Sequence, residues 1–419
     1  MNQFDLIVIG GGAAGLMACA SAIRSGKQVL LLEKNNKLGV KILMSGGTRC
    51  NITHDCDRNG IVEAFGKQGR FLHSALASLP PKEVIQMIES AGVATKSEPG
   101  GKIFPVSNRA IDVRDALVHL ANDPTTTVGG TTILKGVACR SVTKRDDVFQ
   151  VVGNEESFTA PSVLITTGGK SYPGCGTTGD GYAWANSFGH KIVQPVAALT
   201  PITNHNIWSN ALKGITFENA SVSIHQIQSD RKAKILDNAE GGFLFTHFGF
   251  SGPTVLNVSR AVSKSNSPNE LVMRCDFQPS LNPDQFRQHL RELLNTKPKQ
   301  TISNVLATER WPRRFVDGLL NHLQMNPNTK AAEFSKSNLN RLVAGVKQAE
   351  FEIEGVYGFK KAEVTAGGVS LDEVDSRTME SKLCPGLFFA GEVLDLDGPI
   401  GGYNFQSAFS TGWLAGQSC

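Results

Sequence analysis

Apolar positions first gather in residues 4–9, FDLIVI, which read as a short buried strand. GGGAAG follows as a turn, LMACASAIRSG carries helical periodicity ending at Gly26, and QVLLLEK is a second strand. Strand, turn, helix and strand within about 30 residues make a βαβ unit, whose parallel strands need helices on the sheet faces. A doubly wound α/β sheet is therefore predicted to start here. From about 71 to 120 the pattern is mainly helical, clearest in PKEVIQMIESAG and DVRDALVHLAN, and is broken by a loop, GGKIFPVSNR. TTILKGVACRSVTKR, DVFQVVG and ESFTA alternate in the β manner and predict a short antiparallel meander. APSVLITTGG is again a continuous apolar run, the kind buried on both faces.

Beyond about 197 the character changes. ASVSIHQIQ, AKILD, GGFLFTHFG and ELVMRCDF predict strands of a separate β unit, and residues 283–348 are helical, most clearly LNPDQFRQHLRELL and SKSNLNRLVAGV. After 353 strands and Gly-rich turns return, with GLFFAGE and GPIGGYNFQSAFSTGWLAG. No internal repeat is visible. The pattern predicts one domain split by an insertion: 1–197, an inserted β domain at 198–280, an inserted helical domain at 281–350, and a C-terminal part at 351–419.

Composition narrows the class. With 40% hydrophobic and 19% charged residues, 43 glycines and 18 prolines, the 419-residue chain is globular with many tight turns. Lys plus Arg total 42 against 38 Asp plus Glu, a thin net charge that is no nucleic-acid signature. Small basic clusters exist at KPK 297–299, Arg313-Arg314 and Lys360-Lys361. A nucleic-acid partner is not expected, and the partner expected is a small-molecule substrate. Eight cysteines without CxxC spacing suit a reducing cytoplasm. The apolar N-terminus lacks a basic n-region, carries Asp5 and is broken by three glycines, so it fails as a signal peptide and as a membrane span. A soluble, cytoplasmic protein with no membrane partner is expected; its oligomeric state is not legible.

Gly10-x-Gly12-x-x-Gly15, with Ala13 and Ala14 between, follows a strand and opens a helix, and Glu33 ends the next strand about 20 residues on. In this fingerprint the first glycine makes a tight turn, the second admits a pyrophosphate and the third lets helix and strand pack. The helix N-terminus offers unpaired N–H groups to the diphosphate, and Glu33 can accept from ribose hydroxyls. Gly174-x-Gly176-x-x-Gly179 matches the same spacing, but it follows no strand directly and no acid ends the strand-like IVQPV after it. It is read instead as the start of a helix with Asp180 near its N-terminus. Glu392, after Gly391, ends a late strand before another Gly-rich helix start near Gly402. A domain that receives its last strand and helix from the far end of the chain can surround an extended cofactor, which favours FAD. Glu392 would then hold ribitol hydroxyls, and the last helix would place its positive end near flavin N1.

SGGTRCN, VTAGGV with TMESK, GEVLDLDGPIGGYNFQSAFSTG and GGFLFTHFGFSGP together resemble the aminoacetone-oxidase-like bacterial flavoproteins, a family that also includes a bile-acid enone reductase. The similarity covers nearly the whole chain. It implies a glutathione-reductase-type, Rossmann-like FAD-binding domain interrupted by a β domain and a small helical domain. The family usually reads SGGGRCN; here Thr48 replaces the third glycine.

In that setting Ser45, Gly46, Gly47, Arg49, Cys50 and Asn51, with Lys41 ahead of them and Lys34 after Glu33, are expected to wrap the cofactor. Cys50 is read as a packed or flavin-contacting thiol; no metal site is expected, although Cys50, His54 and Cys56 are chemically able ligands. Gly168 follows the long apolar strand, Tyr403 and Asn404 open the last helix, and the Cys139 backbone could reach adenine. His247 is the weak candidate for a catalytic acid or base, against a turn histidine. The function expected is FAD-dependent oxidoreduction of a small organic substrate by hydride transfer at N5. An amine oxidase and an NAD(P)H-dependent enone reductase compete, the second using NAD(P)H as a transient donor. The rival of another class is an RNA-associated, tRNA-modifying-like flavoprotein, and a third reading is an FAD protein without turnover.

Overall fold

The computed structural model describes residues 4–123, 129–154, 156–204, 207–227, 233–309 and 311–419. The chain forms two compact units, Met1–Ala197 with Glu363–Cys419, and Ala198–Ala362. The first unit is built on a parallel sheet of β1 (Leu6–Ile9), β2 (Gln28–Glu33), β3 (Gly130–Lys135), β4 (Ser162–Ile165) and β5 (Leu387–Phe389), in the spatial order β3-β2-β1-β4-β5. Leu6 pairs with both Val29 and Ser162, and Val163 with Leu387, all in parallel register. Every residue of β1 is buried, as a Leu/Ile/Val run covered on both faces demands. The strand order reverses between β1 and β4, so the crevice beyond their C-terminal ends is the topological switch point of an open α/β sheet.

Three helices matter for that crevice: α1 (Ala13–Arg24), α2 (Asp180–Ser187) and α3 (Tyr403–Ser418). α1 is rich in Ala and other small residues, so α3 can press against it closely. A Cβ on Gly412 would lie 2.2 Å from Ala14 O, and one on Gly416 2.3 Å from Ala18 O. The Gly412-x-x-x-Gly416 spacing is thus the contact stripe between the two helices. Because 14 meets 412 and 18 meets 416, α1 and α3 run in the same direction.

Two local readings are corrected. GGKIFPVSNR is not a plain loop: Thr95–Glu98 and Lys102–Pro105 form a hairpin around Gly100 and Gly101, joined by Thr53–His54 in a three-stranded antiparallel sheet. Its polar strands, TKSE above all, carry no apolar alternation to announce them. TTILK does not belong to the meander but is β3, the parallel edge strand beside β2. An edge strand is only partly covered, and its mixed exposure mimics an antiparallel ribbon. The meander itself is Ser141–Arg145, Val148–Val152 and Ser157–Ala160.

The second unit contains a seven-stranded antiparallel sheet, with helices Pro253–Ser263, Pro283–Thr296, Arg313–His322 and Lys336–Lys347. One core serves both its sheet and its helices. Phe277 lies 5.5 Å from Phe243 on the sheet and 5.1 Å from Phe315 on a helix, and Phe217 lies 4.8 Å from Phe315. The β segment 198–280 and the helical segment 281–350 are joined by these rings. No helix among the described residues is long and apolar enough to cross a membrane.

Candidate cofactor site

The glycine loop sits at the end of β1. Gly10 adopts φ +113° and lies against Thr166 at the end of β4, where a Cβ would come within 2.7 Å of Thr166 O. The Thr166 hydroxyl closes this contact by donating toward Gly10 O at 2.8 Å. A Cβ on Gly15 would stand 2.0 Å from Gly10 O, so this glycine is where helix and strand touch. Gly12 differs: a Cβ there would meet nothing within 4 Å, and its backbone is extended. The next residues, Ala13 and Ala14, start α1, which no side chain caps. An open backbone position at an uncapped helix start is a cradle for an anion.

Glu33 is buried, and its carboxylate accepts from Gly11 N and Asn35 N, both at 2.8 Å. It thereby pins the glycine loop to the end of β2. Lys34 pairs with Asp180 at the start of α2, 2.5 Å away, and donates to Thr178 Oγ1 at 2.7 Å. Asn35 donates to Cys175 O at 3.1 Å.

A second polar knot joins distant segments. Lys41 Nζ lies 2.5 Å from Glu392 Oε2 and donates to Ser171 Oγ at 2.6 Å. Ser171 Oγ in turn donates to Glu392 Oε1 at 2.6 Å, and Thr365 N donates to the same oxygen at 3.0 Å. Thr365 Oγ1 accepts from Lys170 N and Ser171 N at 2.8 and 3.0 Å. Lys41 and Glu392, expected to act on the cofactor separately, are partners here. Ser171 and Thr365 were not anticipated, since a serine after Thr-Gly-Gly-Lys and a threonine in VTAGGV carry no signature of their own. Gly391, at φ +76°, packs against the Ala14 methyl; Gly168, at φ +72°, packs against Thr177.

The SGGTRCN loop is strongly turned. Gly46, Gly47, Thr48 and Cys50 all have positive φ. A Cβ on Gly47 would meet nothing within 4 Å, while Ser45 donates back to Ile42 O. Arg49 points to Glu98 at 2.9 Å and lies 4.0 Å over the Phe104 ring. Cys50 has no exposed surface, and burial pushes its thiol up to about 12, so it is a packed thiol at neutral pH. Asn51, with its amide oxygen toward Gly402 N at 3.0 Å, donates to Ile103 O and Thr53 O.

Gly402 is the cap residue of α3, at φ +92°; Asn51 accepts from its N–H, and Gly402, having no side chain, gives the first-turn N–H groups no side-chain cap. Tyr403 stacks on His54 with ring centroids 4.5 Å apart at 20°, and His54 Nδ1 is 3.0 Å from Gly401 O. A carbonyl can only accept, so Nδ1 carries the hydrogen. Burial raises the Tyr403 hydroxyl above its usual value, with Cys56 adding to the effect, so it stays protonated and able to donate. Asn404 shapes the preceding turn, accepting from Gly398 N at 2.8 Å and donating to Gly398 O. Tyr403 opens α3 nine positions before Gly412, which rests on Ala14 at the start of α1. The two uncapped helix starts therefore face the same end of the sheet and are about 14 Å apart along one direction. That spacing fits a long cofactor with a negative centre at one helix and a polar ring edge at the other.

Two further expected residues differ in place: Cys139 stays near the end of β2, where Val137 N donates to Glu33 O at 3.0 Å, and His247 lies outside this unit. Cys139 follows β3; its thiol faces Ser141 O at 3.6 Å and is pushed up to about 12, mainly by burial. His247 belongs to the second unit, exposed in the tight turn between Ala233–Thr246 and Gly249–Ser251, with its ring 4.7 Å from Phe248.

Residues 4–418 match the family described as HI0933-like protein Rossmann domain. The chain belongs to this FAD-binding Rossmann family. A ribosomal RNA dihydrouridine synthase of Escherichia coli is 33% identical over 417 residues, 100% of this chain and 98% of the relative. A 3-dehydro-bile acid delta(4,6)-reductase of Clostridium scindens is 31% identical over 428 residues, 100% of this chain and 99% of the relative. A second ribosomal RNA dihydrouridine synthase, from Haemophilus influenzae, is 30% identical over 428 residues, 100% of this chain and 99% of the relative. Among solved structures, a 3-ketosteroid delta1-dehydrogenase of Sterolibacterium denitrificans aligns with TM-score 0.50 and 12% identity, covering 99% of each chain. That likeness concerns the fold. The family and its relatives make this chain an FAD-binding oxidoreductase. The glycine cradle, Glu33 and the two uncapped helix starts are residues of this chain that fit FAD.

Proposed function

We propose that the protein is an FAD-dependent reductase of carbon–carbon double bonds conjugated to a carbonyl, acting on a uridine of ribosomal RNA. One observation carries the chemistry. The full-length relatives are named for making dihydrouridine and for reducing a 3-oxo bile acid, substrates that differ in everything except that conjugated bond. Saturating it takes a hydride at the carbon β to the carbonyl and a proton at the α carbon. Bound and reduced by a nicotinamide donor, FAD would supply the hydride from N5. The chain's own residues supply the rest. The cradle at Gly12 and the start of α1 would take the diphosphate, with Glu33 fixing the loop and the Lys41–Glu392 pair fixing β5 against it. The first-turn N–H groups of α3 would face the flavin N1 edge, where the negative charge of the reduced ring is held. Tyr403, protonated and held by the His54 stack, would give the proton to the α carbon.

The RNA substrate is favoured by the two ribosomal RNA dihydrouridine synthases among the relatives described above. A small enone is the second reading, favoured by the bile-acid reductase at 31% identity. The test is to incubate the yellow protein and NADPH or NADH with ribosomal RNA from a strain lacking the gene, then digest the RNA and measure dihydrouridine by mass spectrometry. Dihydrouridine should rise. Saturation of a 3-oxo steroid enone without any dihydrouridine would shift the substrate to small molecules, and failure of both nicotinamides to bleach the flavin would remove the reductase reading. Tyr403→Phe should slow dihydrouridine formation about 100-fold or more while leaving the rate of flavin bleaching unchanged; equal loss of both would show a structural role instead.

A further inference from the structure

The net charge of +4 is unevenly divided. Residues 198–362 hold 20 Lys plus Arg against 14 Asp plus Glu, whereas the remaining residues hold 22 against 24. Most of that excess lies in one stretch, 297–341, with eight basic residues against three acidic ones. The fold gathers part of it. Thr301 and Lys330 form an antiparallel bridge, and Ala331 N and Ala332 N donate to Gln300 O and Pro298 O. Lys330 therefore lies alongside the Lys297-Pro-Lys299 turn. Arg313 adjoins the same surface through Asn304, 2.7 Å away, whose own N–H is capped by Thr301.

Four other cations of the unit are already paired with carboxylates. Arg274 is neutralised by Glu350, Arg287 by Asp284, Arg313 by Asp317 and Lys347 by Asp276. Among the described residues, Lys297, Lys299 and Lys330 have no carboxylate partner; Lys299 and Lys330 are exposed and Lys297 is half-buried. The acids nearby are Glu333, exposed on the turn after Lys330, Glu309, held by His289, and Asp317. Three unneutralised ammonium groups on backbone-tied turns form a polyanion surface, and on the reading above the polyanion is RNA.

We propose that the Lys297, Lys299 and Lys330 surface of the second unit binds phosphates of the substrate RNA, positioning it without reading its sequence. The inference rests on the RNA reading. The test compares wild type, K297Q/K299Q/K330Q, and the equal-charge control K67Q/K82Q/K191Q from exposed sites on the first unit. Retention of deproteinised ribosomal RNA is measured over a salt series, with flavin absorbance and unfolding temperature as checks on the fold. The surface variant should bind about tenfold or more weakly at moderate salt, and its salt slope should fall by about 2, as loss of three phosphate contacts requires. The control should stay near wild type. If wild type forms dihydrouridine and the surface variant keeps both affinity and slope, this surface is wrong and the RNA reading stands. If wild type neither retains RNA nor forms dihydrouridine, both fall together.

Discussion

His190 has no exposed surface, yet it is a titratable ring. Its Nε2 lies 2.7 Å from Ser381 Oγ, its Nδ1 3.3 Å from Glu373 Oε2, and its edge meets Phe389 of β5 at 4.8 Å. Burial holds the imidazole below its usual 6.5, against the opposing pull of Glu373. The folded chain therefore keeps His190 neutral where the unfolded chain would accept a proton. Its contribution is present above about pH 6.5 and is lost as pH falls through the folded value. Melting temperature should drop between about pH 7 and pH 5, and His190→Gln, although less stable at neutral pH, should show a shallower acid slope. Parallel slopes would mean that other groups set the acid limb. The same scale shows where sequence reading stops: spacing points to Lys41 and to Glu392, but nothing along the chain says that two residues 351 positions apart form one ion pair.

At the scale of elements, the glycine loop separates two jobs that the fingerprint lists together. Gly15 packs helix on strand: a methyl there would sit 2.0 Å from Gly10 O, with Thr166 Oγ1 at 2.8 Å. Gly15→Ala should cost about 3 kcal/mol or more and lower the melting temperature even without cofactor. Gly12 has open space and ordinary φ, so Gly12→Ala should leave the apoprotein's melting temperature unchanged while weakening FAD binding by about tenfold or more. Unchanged FAD titration in Gly12→Ala would remove the cradle. β1, α1, β2 and Glu33 are legible because a buried parallel strand and an apolar helix print their periods directly. Thr95–Glu98 is not, because a polar hairpin strand has no period to print, and β3 is misassigned because an edge strand shows only half of one. The helix contact through Gly412 and Gly416 was in plain view as a spacing, but the segment facing it begins some 400 residues earlier, and a spacing does not name its partner.

For the whole molecule, the question is whether the insertion is needed for the cofactor or only for the substrate. Every residue expected to hold FAD lies in Met1–Ala197 or Glu363–Cys419; the weak acid or base candidate, His247, falls outside. The chain leaves and rejoins the first unit along two paired strands, Ile192–Ala198 and Val364–Val369. Ser370 N donates to Lys191 O, and Gly367 lies against Gln194 O, so the pair runs antiparallel and brings Ala197 and Glu363 side by side. Closing that gap with a short Gly-Ser linker stretches nothing, and the loop-closure cost changes slowly with length. The second unit has its own core, built on Phe243, Phe277, Phe315 and Phe351, so its removal need not strip the first unit's core of its own residues. Replacing 198–362 with such a linker should therefore give a yellow protein that binds FAD and retains far less ribosomal RNA than the full chain. A colourless, unfolded product would show that the insertion holds up the cofactor site itself. A yellow product with full RNA affinity would move the phosphate contacts onto the first unit, where acidic residues outnumber basic ones 24 to 22.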